Sequence, residues 1–272
     1  MKDPPPVRCA QEHLEQSGPG GTAVESKVFR IGCAGWGVAS GKAELFGAGD
    51  SVLERYSTRF PSVEINSSFT RAHQRRTYER WARSVPSGFR FTVKVPRTVT
   101  HAARLQGGDD PLLPFLDQVE GLGNTLGCLL VQLPPSLAFC PDVAPAFFAQ
   151  LRHLSSVPVA CEPRHPSWFT PEVDATLSEH RVGRVAADPA IVPAAAIPGG
   201  FPETLYYRWH GSPRTYYSGY SAEALQRLAE AVRATPAGYS PWIIFDNTAV
   251  GAALENAFEL SALLGSSAQN RA

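Results

Sequence analysis

An α/β chain folded as a single-domain (β/α)8 TIM barrel is predicted by three observations on the sequence. Short β-branched or aromatic runs alternate with amphipathic segments. The repeat of about thirty residues per unit, over 272 residues, suits a barrel of roughly 250 residues. Neither G-x-G-x-x-G nor G-x-x-x-x-G-K-[ST] follows any of the runs, which removes the main support for a doubly wound nucleotide-binding sheet.

The predicted strands, in order, are Val28–Gly32, Ser62–Asn66, Arg90–Lys94, Cys128–Gln132, Pro158–Glu162, Val182–Ala187, Leu205–His210 and Trp242–Asp246. Each is a run of about five residues bounded by turn-forming residues. Helical periodicity follows most of them. Leu112, Leu113, Leu116, Val119 and Leu122 recur at helical spacing, as do Val143, Phe147, Phe148 and Leu151, and Leu225, Leu228, Ala229 and Val232. Between Pro189 and Pro202 the pattern fails, and its four prolines predict a loop in place of the sixth helix. Residues 1–26, with Pro4-Pro5-Pro6 and Ser17-Gly18-Pro19-Gly20-Gly21, read as an N-terminal tail; 27–264 as the barrel; 265–272 as a C-terminal tail.

Composition narrows the function. Twenty-five Lys+Arg balance 25 Asp+Glu, which argues against a histone-like polyanion coat but not against a local basic patch. The five cysteines, Cys9, Cys33, Cys128, Cys140 and Cys161, contain no C-x-x-C. That argues against a disulfide framework or zinc ribbon and for a reducing compartment. No apolar stretch approaches the 18 or so residues of a membrane span, so no membrane association is expected, and the expected location is the cytoplasm. Only four lysines occur, Lys2, Lys27, Lys42 and Lys94, which singles out Lys94 in the body of the chain.

The strand ends carry the chemistry. With period two, Val63 and Ile65 alternate with Glu64 and Asn66, Val93 with Lys94, Cys161 with Glu162, Tyr207 and Trp209 with Arg208 and His210, and Phe245 with Asp246. The apolar set faces the outer helices, and the polar set faces the barrel mouth, where barrel enzymes keep their active sites. Gln132 and Asp188 end the fourth and sixth strands, and His101 follows the third. Burying so many charges is costly unless they pair or bind something, so the set reads as a site.

Several segments together resemble the DUF72 (YecE-like) family. They are Gly32-Cys33-Ala34-Gly35-Trp36, Val63-Glu64-Ile65-Asn66-Ser67-Ser68-Phe69, Phe91-Thr92-Val93-Lys94, Thr100-His101, Gln132-Leu133-Pro134-Pro135, Glu162-Pro163-Arg164-His165-Pro166-Ser167-Trp168, Arg208-Trp209-His210-Gly211 and Phe245-Asp246-Asn247-Thr248. The resemblance spans about residues 28 to 264 and implies a TIM barrel without implying a reaction. Departures from the family pattern fall at Thr70, where Tyr is usual, at Pro163, where an aromatic is usual, and at Asp246, where Asn is usual. The loop after Trp36 also lacks the family's aromatic-rich stretch.

The expected function is that of an enzyme, a hydrolase or lyase, acting on a phosphate-bearing substrate such as a nucleotide or nucleic acid. Lys94, Arg164 and Arg208 would hold the anion, and Glu162, His165, Asp188 and His210 would move protons, with Lys94 able to act as base, Schiff-base nucleophile or point charge. Glu64, Asn66, His101, Gln132, Asp246 and Asn247 complete the substrate-binding set. Two alternatives stand beside it. One is a non-catalytic module for an anionic small molecule or nucleic acid. The other is a metal-dependent sugar isomerase or lyase using a divalent metal, although no tight ligand spacing occurs and no metal ligand is assigned. Arg71, Arg75, Arg76, Arg80 and Arg83 after the second strand could attract phosphates, while Tyr78 and Trp81 beside them pack on the barrel. Tyr216, Tyr217 and Tyr220 either wall the pocket or pack their loop. Cys33 is expected to be a buried, inert thiol.

Overall fold

A computed structural model describes residues 27–38, 40–107 and 112–265. The expected N-terminal tail and, apart from Gly265, the expected C-terminal tail lie outside these residues.

The strands are β1 (Arg30–Cys33), β2 (Ser62–Ile65), β3 (Arg90–Lys94), β4 (Leu126–Gln132), β5 (Val159–Glu162), β6 (Val182–Arg184), β7 (Ala186–Asp188), β8 (Gly199–Gly200), β9 (Tyr206–Trp209) and β10 (Trp242–Phe245). Parallel pairing runs β2-β3-β4-β5-β6 on one side and β1-β10-β9-β7 on the other. The bridge Ala34–Glu64 joins β1 to β2. On the far side β6 and β7 are one strand position interrupted at Val185: the first part pairs with β5 and the second with β9. The ring therefore closes with eight strand positions, and the sequence-predicted sixth strand is the one that is split. β8 adds an antiparallel pair to β6.

The helices are α1 (Val52–Ser57), α2 (Arg75–Arg83), α3 (Leu112–Val119), α4 (Ala144–Leu154), α5 (Pro171–Glu179), α6 (Ala222–Arg233) and α7 (Ala252–Leu264). Their starts follow ordinary capping chemistry: Ser51 and Glu54 form a capping box on α1, and Thr170 and Ser221 cap α5 and α6. After β7 only a short 3-10 turn forms, Pro193–Ala196, as the prolines there predict. Leu122 departs from its predicted helix; it lies in a 3-10 segment interrupted at Gly123, beyond the end of α3.

Alternation divides the apolar residues into two bodies. The larger lies between the barrel wall and the helices and includes Val63, Ile65, Val93, Val131, Cys161, Tyr207, Ile243 and Phe245. The smaller fills the barrel itself: Cys128, Leu130, Ala160, Val185, Tyr206, Trp242 and Ile244. Close approach of β1 to β2 requires glycine at position 32, since a Cβ there would lie 2.1 Å from the Ser62 carbonyl oxygen.

Candidate functional site

Above the apolar plug, the inward positions become charged. Arg208 is the centre of this layer. Its side chain is 1% exposed, and each of its three nitrogens meets a carboxylate. Nε donates to Glu64 Oε2 at 3.0 Å and Nη2 to Glu64 Oε1 at 2.6 Å. Nη2 also lies 2.9 Å from Asp246 Oδ2, and Nη1 donates to Glu162 Oε2 at 3.1 Å. From below, the Tyr206 hydroxyl donates to Glu64 Oε2 at 2.8 Å. A buried cation among buried anions is stable only with such complete pairing. Burial opposes the charge on Arg208, but Asp246, Glu64 and Glu162 outweigh it and raise its pKa well above the ordinary value.

His210, fully buried, joins two of the same carboxylates. Its Nδ1 lies 3.0 Å from Asp246 Oδ2 and its Nε2 lies 2.8 Å from Glu162 Oε1. Arg164 completes the group, with Nη2 2.6 Å from His210 Nε2 and paired with Glu162 Oε1. Nε2 can thus donate to Glu162 or accept from Arg164, but not both, so the imidazole has two hydrogen-bonding states at one ring nitrogen. Burial alone would raise the Glu162 carboxyl; Arg164, Arg208 and His210 instead hold it well below the usual carboxylate range. Asp246 is depressed in the same way: burial opposes ionisation, and Arg208 and His210 overcome it.

Lys94 stands apart. It is 7% exposed, and its Nζ lies 4.0 Å from the centre of the Phe69 ring. Among the described residues no carboxylate lies within ion-pair distance of it. Glu64 and Glu162 are engaged by Arg208 instead. Burial, and then Arg208, lower its pKa, and Glu64, Glu162 and Asp246 offset this only in part. Its backbone is fixed by the Ser68 hydroxyl, which donates to the Lys94 carbonyl at 2.7 Å. His101 sits edge-on to the other side of Phe69, at 5.0 Å; burial, Lys94 and Arg97 lower its pKa.

The remaining expected residues divide. Gln132 pairs in register with Glu162 at the rim. Asn66, just past β2, is half-buried, and its Oδ1 is buried without a hydrogen-bond partner, as is Nε of Arg164. Five of the expected residues are engaged within the protein. Arg208 and Glu64 lie beneath the rim, engaged by one another, and so brace the site without a free face for substrate. Asn247 turns to the outside of the ring, where its Nδ2 donates to Ser218 O at 2.9 Å and Asn256 Oδ1 at 3.0 Å. His165 caps a short turn: Ser167 N–H donates to its Nδ1 at 3.2 Å and the Ser167 hydroxyl lies 2.8 Å away. Asp188 ends β7 in register with Trp209; its carboxylate is held by the Tyr220 hydroxyl at 2.8 Å, and its carbonyl accepts from the His210 N–H at 2.7 Å.

The three tyrosines of the loop after β9 have separate tasks. Tyr220 braces Asp188. Tyr217 lies under the Arg214 guanidinium, 3.7 Å from ring centre to Cζ. Tyr216 is 48% exposed and stands edge-on to His210 at 5.9 Å. Its backbone has φ 70° and donates to His210 O. Sequence reasoning missed Phe69 and Tyr206. Tyr206 was legible, being two residues before Arg208 and so on the same face of the strand. Phe69 was not, since it lies in the 3-10 turn Ser67–Phe69 where period two no longer applies.

On α2, Tyr78 is buried and Trp81 packs against Trp36 at 5.0 Å. Arg75 pairs with Asp117 and Glu120, while Arg76, Arg80 and Arg83 are exposed. Burial pushes the Cys33 thiol up to about 12, so it stays protonated at neutral pH. Among the described residues no group of three or more His, Cys, Asp or Glu is arranged to hold a metal ion. The rim carboxylates surround a guanidinium where a dication would have to sit. Among the same residues no helix is long and apolar enough to cross a membrane.

The family described as "Protein of unknown function DUF72" matches residues 30–272. The chain is 30% identical over 159 residues to the UPF0759 protein YunF of Bacillus subtilis (strain 168), covering 53% of each chain. It is 32% identical over 156 residues to the UPF0759 protein YecE of Escherichia coli (strain K12), covering 54% of this chain and 56% of that one. It thus spans about half the length of these curated relatives. A DUF72 family protein of Thermotoga maritima MSB8 superposes with a TM-score of 0.71 at 25% identity, over 88% of this chain and 99% of that one. One from Enterococcus faecalis V583 gives 0.72 at 22%, over 88% and 98%.

Proposed function

The chain belongs to the DUF72 family, and from the chemistry of its rim we propose that it is an enzyme acting on a phosphate-bearing substrate at the C-terminal end of the barrel. The observation that carries this reading is Lys94, a nearly buried cation with no carboxylate within ion-pair distance among the described residues although three carboxylates lie close by. Such a cation is stabilised by an anion arriving from solution. Arg164, half-buried with an unpartnered Nε, is the second cation on that side and has the planar fork that suits phosphate.

Beside these cations, His210 lies between Glu162 and Asp246, a carboxylate at each ring nitrogen. When Nδ1 donates to Asp246 and Nε2 accepts from Arg164, the imidazole is neutral and Nε2 is the nitrogen that can take up a proton, while Asp246 keeps the ring oriented. Arg208 and Glu64 fix the carboxylates from below. The free thiols Cys33, Cys128, Cys140 and Cys161 support work in a reducing compartment such as the cytoplasm. The test is a panel of phosphomonoesters and phosphodiesters. Glu162→Gln should abolish turnover while leaving binding largely intact, and binding of none of the panel would sink the proposal.

A second reading, a non-catalytic nucleic-acid binder, draws on one feature. Arg76, Arg80 and Arg83 are exposed at successive turns of α2, a geometry suited to backbone phosphates. Binding of single-stranded DNA across a salt series separates the two. A steep negative slope that flattens on changing these three arginines to glutamine supports it, and a flat slope refutes it.

A further inference from the structure

We propose that the Lys94 amine is a nucleophile that forms an imine with an aldehyde or ketone carbonyl of the substrate. This rests on the rim being a site for a phosphate-bearing substrate, and it narrows that substrate to one that also carries a carbonyl, held by its phosphate at Arg164.

A lysine serves as a nucleophile only with a free lone pair and access to the reacting carbon. Most lysines are long, solvated and protonated. Lys94 ends β3 inside the barrel mouth, with its Nζ against the face of Phe69 and its backbone fixed by Ser68. The carboxylates that would lock it as an ammonium, Glu64, Glu162 and Asp246, turn to Arg208 instead. The charged groups that act on Lys94 are those three carboxylates and Arg208, and Lys94 in turn acts on His101. Burial and the neighbouring Arg208 favour the neutral amine, against partial opposition from the carboxylates.

The chemistry closes with groups already present. The Nζ lone pair attacks the carbonyl carbon and a C–N bond forms, while the carbonyl oxygen takes up a proton. Nitrogen gives up its two protons in turn, the hydroxyl takes up the second, the C–O bond breaks, and the oxygen leaves as water. Nothing is oxidised or reduced. His101 is the proton carrier, since it packs on the same Phe69 ring as Lys94 and is the imidazole on which Lys94 acts. The imine would then draw electrons from the adjacent carbon, as a lyase or an isomerase requires.

Lysine scarcity makes the test clean, because Lys2, Lys27 and Lys42 are the only other lysines. The full chain is incubated near pH 7 with glyceraldehyde 3-phosphate or with glyceraldehyde, each with sodium cyanoborohydride, and adducts are mapped by peptide mass spectrometry. Lys94 should be alkylated ahead of the other three, and faster by the phosphorylated aldehyde. Lys94→Arg should leave no trapped adduct at the rim while trapping at Lys2, Lys27 and Lys42 stays at its wild-type level. Adducts spread evenly, or absent from Lys94, overturn the imine. If phosphate still binds in that case, the anion site survives without it. Equal trapping of both aldehydes at Lys94 keeps the imine and overturns the phosphate reading.

Discussion

Replacing Arg208 with methionine removes the one group on which Glu64, Glu162 and Asp246 converge. Methionine keeps most of the buried volume, so the loss is electrostatic. Three carboxylates then face one another, with Arg164 on Glu162 and His210 between Glu162 and Asp246 as their remaining partners. Breaking a buried ion pair by removing one partner costs about 3–5 kcal/mol. In a domain of this size that lowers the melting temperature by roughly 6–20 °C, taking about 2–4 °C per kcal/mol. The pH dependence gives the sign. Glu162 and Asp246 have depressed pKa values in the folded chain. Each therefore contributes stability that is present above the ordinary carboxylate pKa near ~4 and is lost as pH falls toward the folded value. Without Arg208 that contribution shrinks. Wild type and Arg208→Met should differ most near neutral pH and converge as pH falls below about 4. Urea titrations followed by tryptophan fluorescence at several pH values measure this. A loss under about 1 kcal/mol, the scale of an exposed pair, would refute the reasoning, as would a loss that does not change with pH.

Three further outcomes follow from the same geometry. Gly32→Ala would place a Cβ 2.1 Å from the Ser62 carbonyl oxygen; it should cost at least the roughly 1–3 kcal/mol of an overpacked core, and thermal melting unchanged within error would show that β1 and β2 can separate. Asn247→Ala removes the bonds to Ser218 and Asn256 and should cost about 1–3 kcal/mol of stability without altering phosphate affinity by calorimetry, whereas a large affinity loss would return Asn247 to the site. Tyr206→Phe deletes one of the two hydrogen bonds to Glu64 Oε2, leaving that from Arg208 Nε; a loss of about 1.5–3 kcal/mol is expected from a hydrogen bond to a charged group, and a neutral result in chemical denaturation would mean that Arg208 alone satisfies Glu64.

By itself the sequence determined the ring of alternating strands and the side of each strand on which a residue lies. Period two needs only local geometry, so Glu64, Lys94, Glu162, Arg208, His210 and Asp246 were legible as inward and near one rim. The missing sixth helix was legible too, from its prolines. What the tertiary structure decided is who meets whom among them. Arg208 lies 144 residues from Glu64 and 46 from Glu162, and only closure of the ring brings these together. Six inward charges allow many pairings of similar Coulomb energy. Ring closure chooses among them: Arg208 reaches all three carboxylates, and Lys94 packs against Phe69. The loop residues Asn247 and His165 follow no strand period, and local hydrogen bonds set their direction, while Asp188 ends β7 in register with Trp209. That division leaves Arg208 as the buried brace and Lys94 as the cation with a free face.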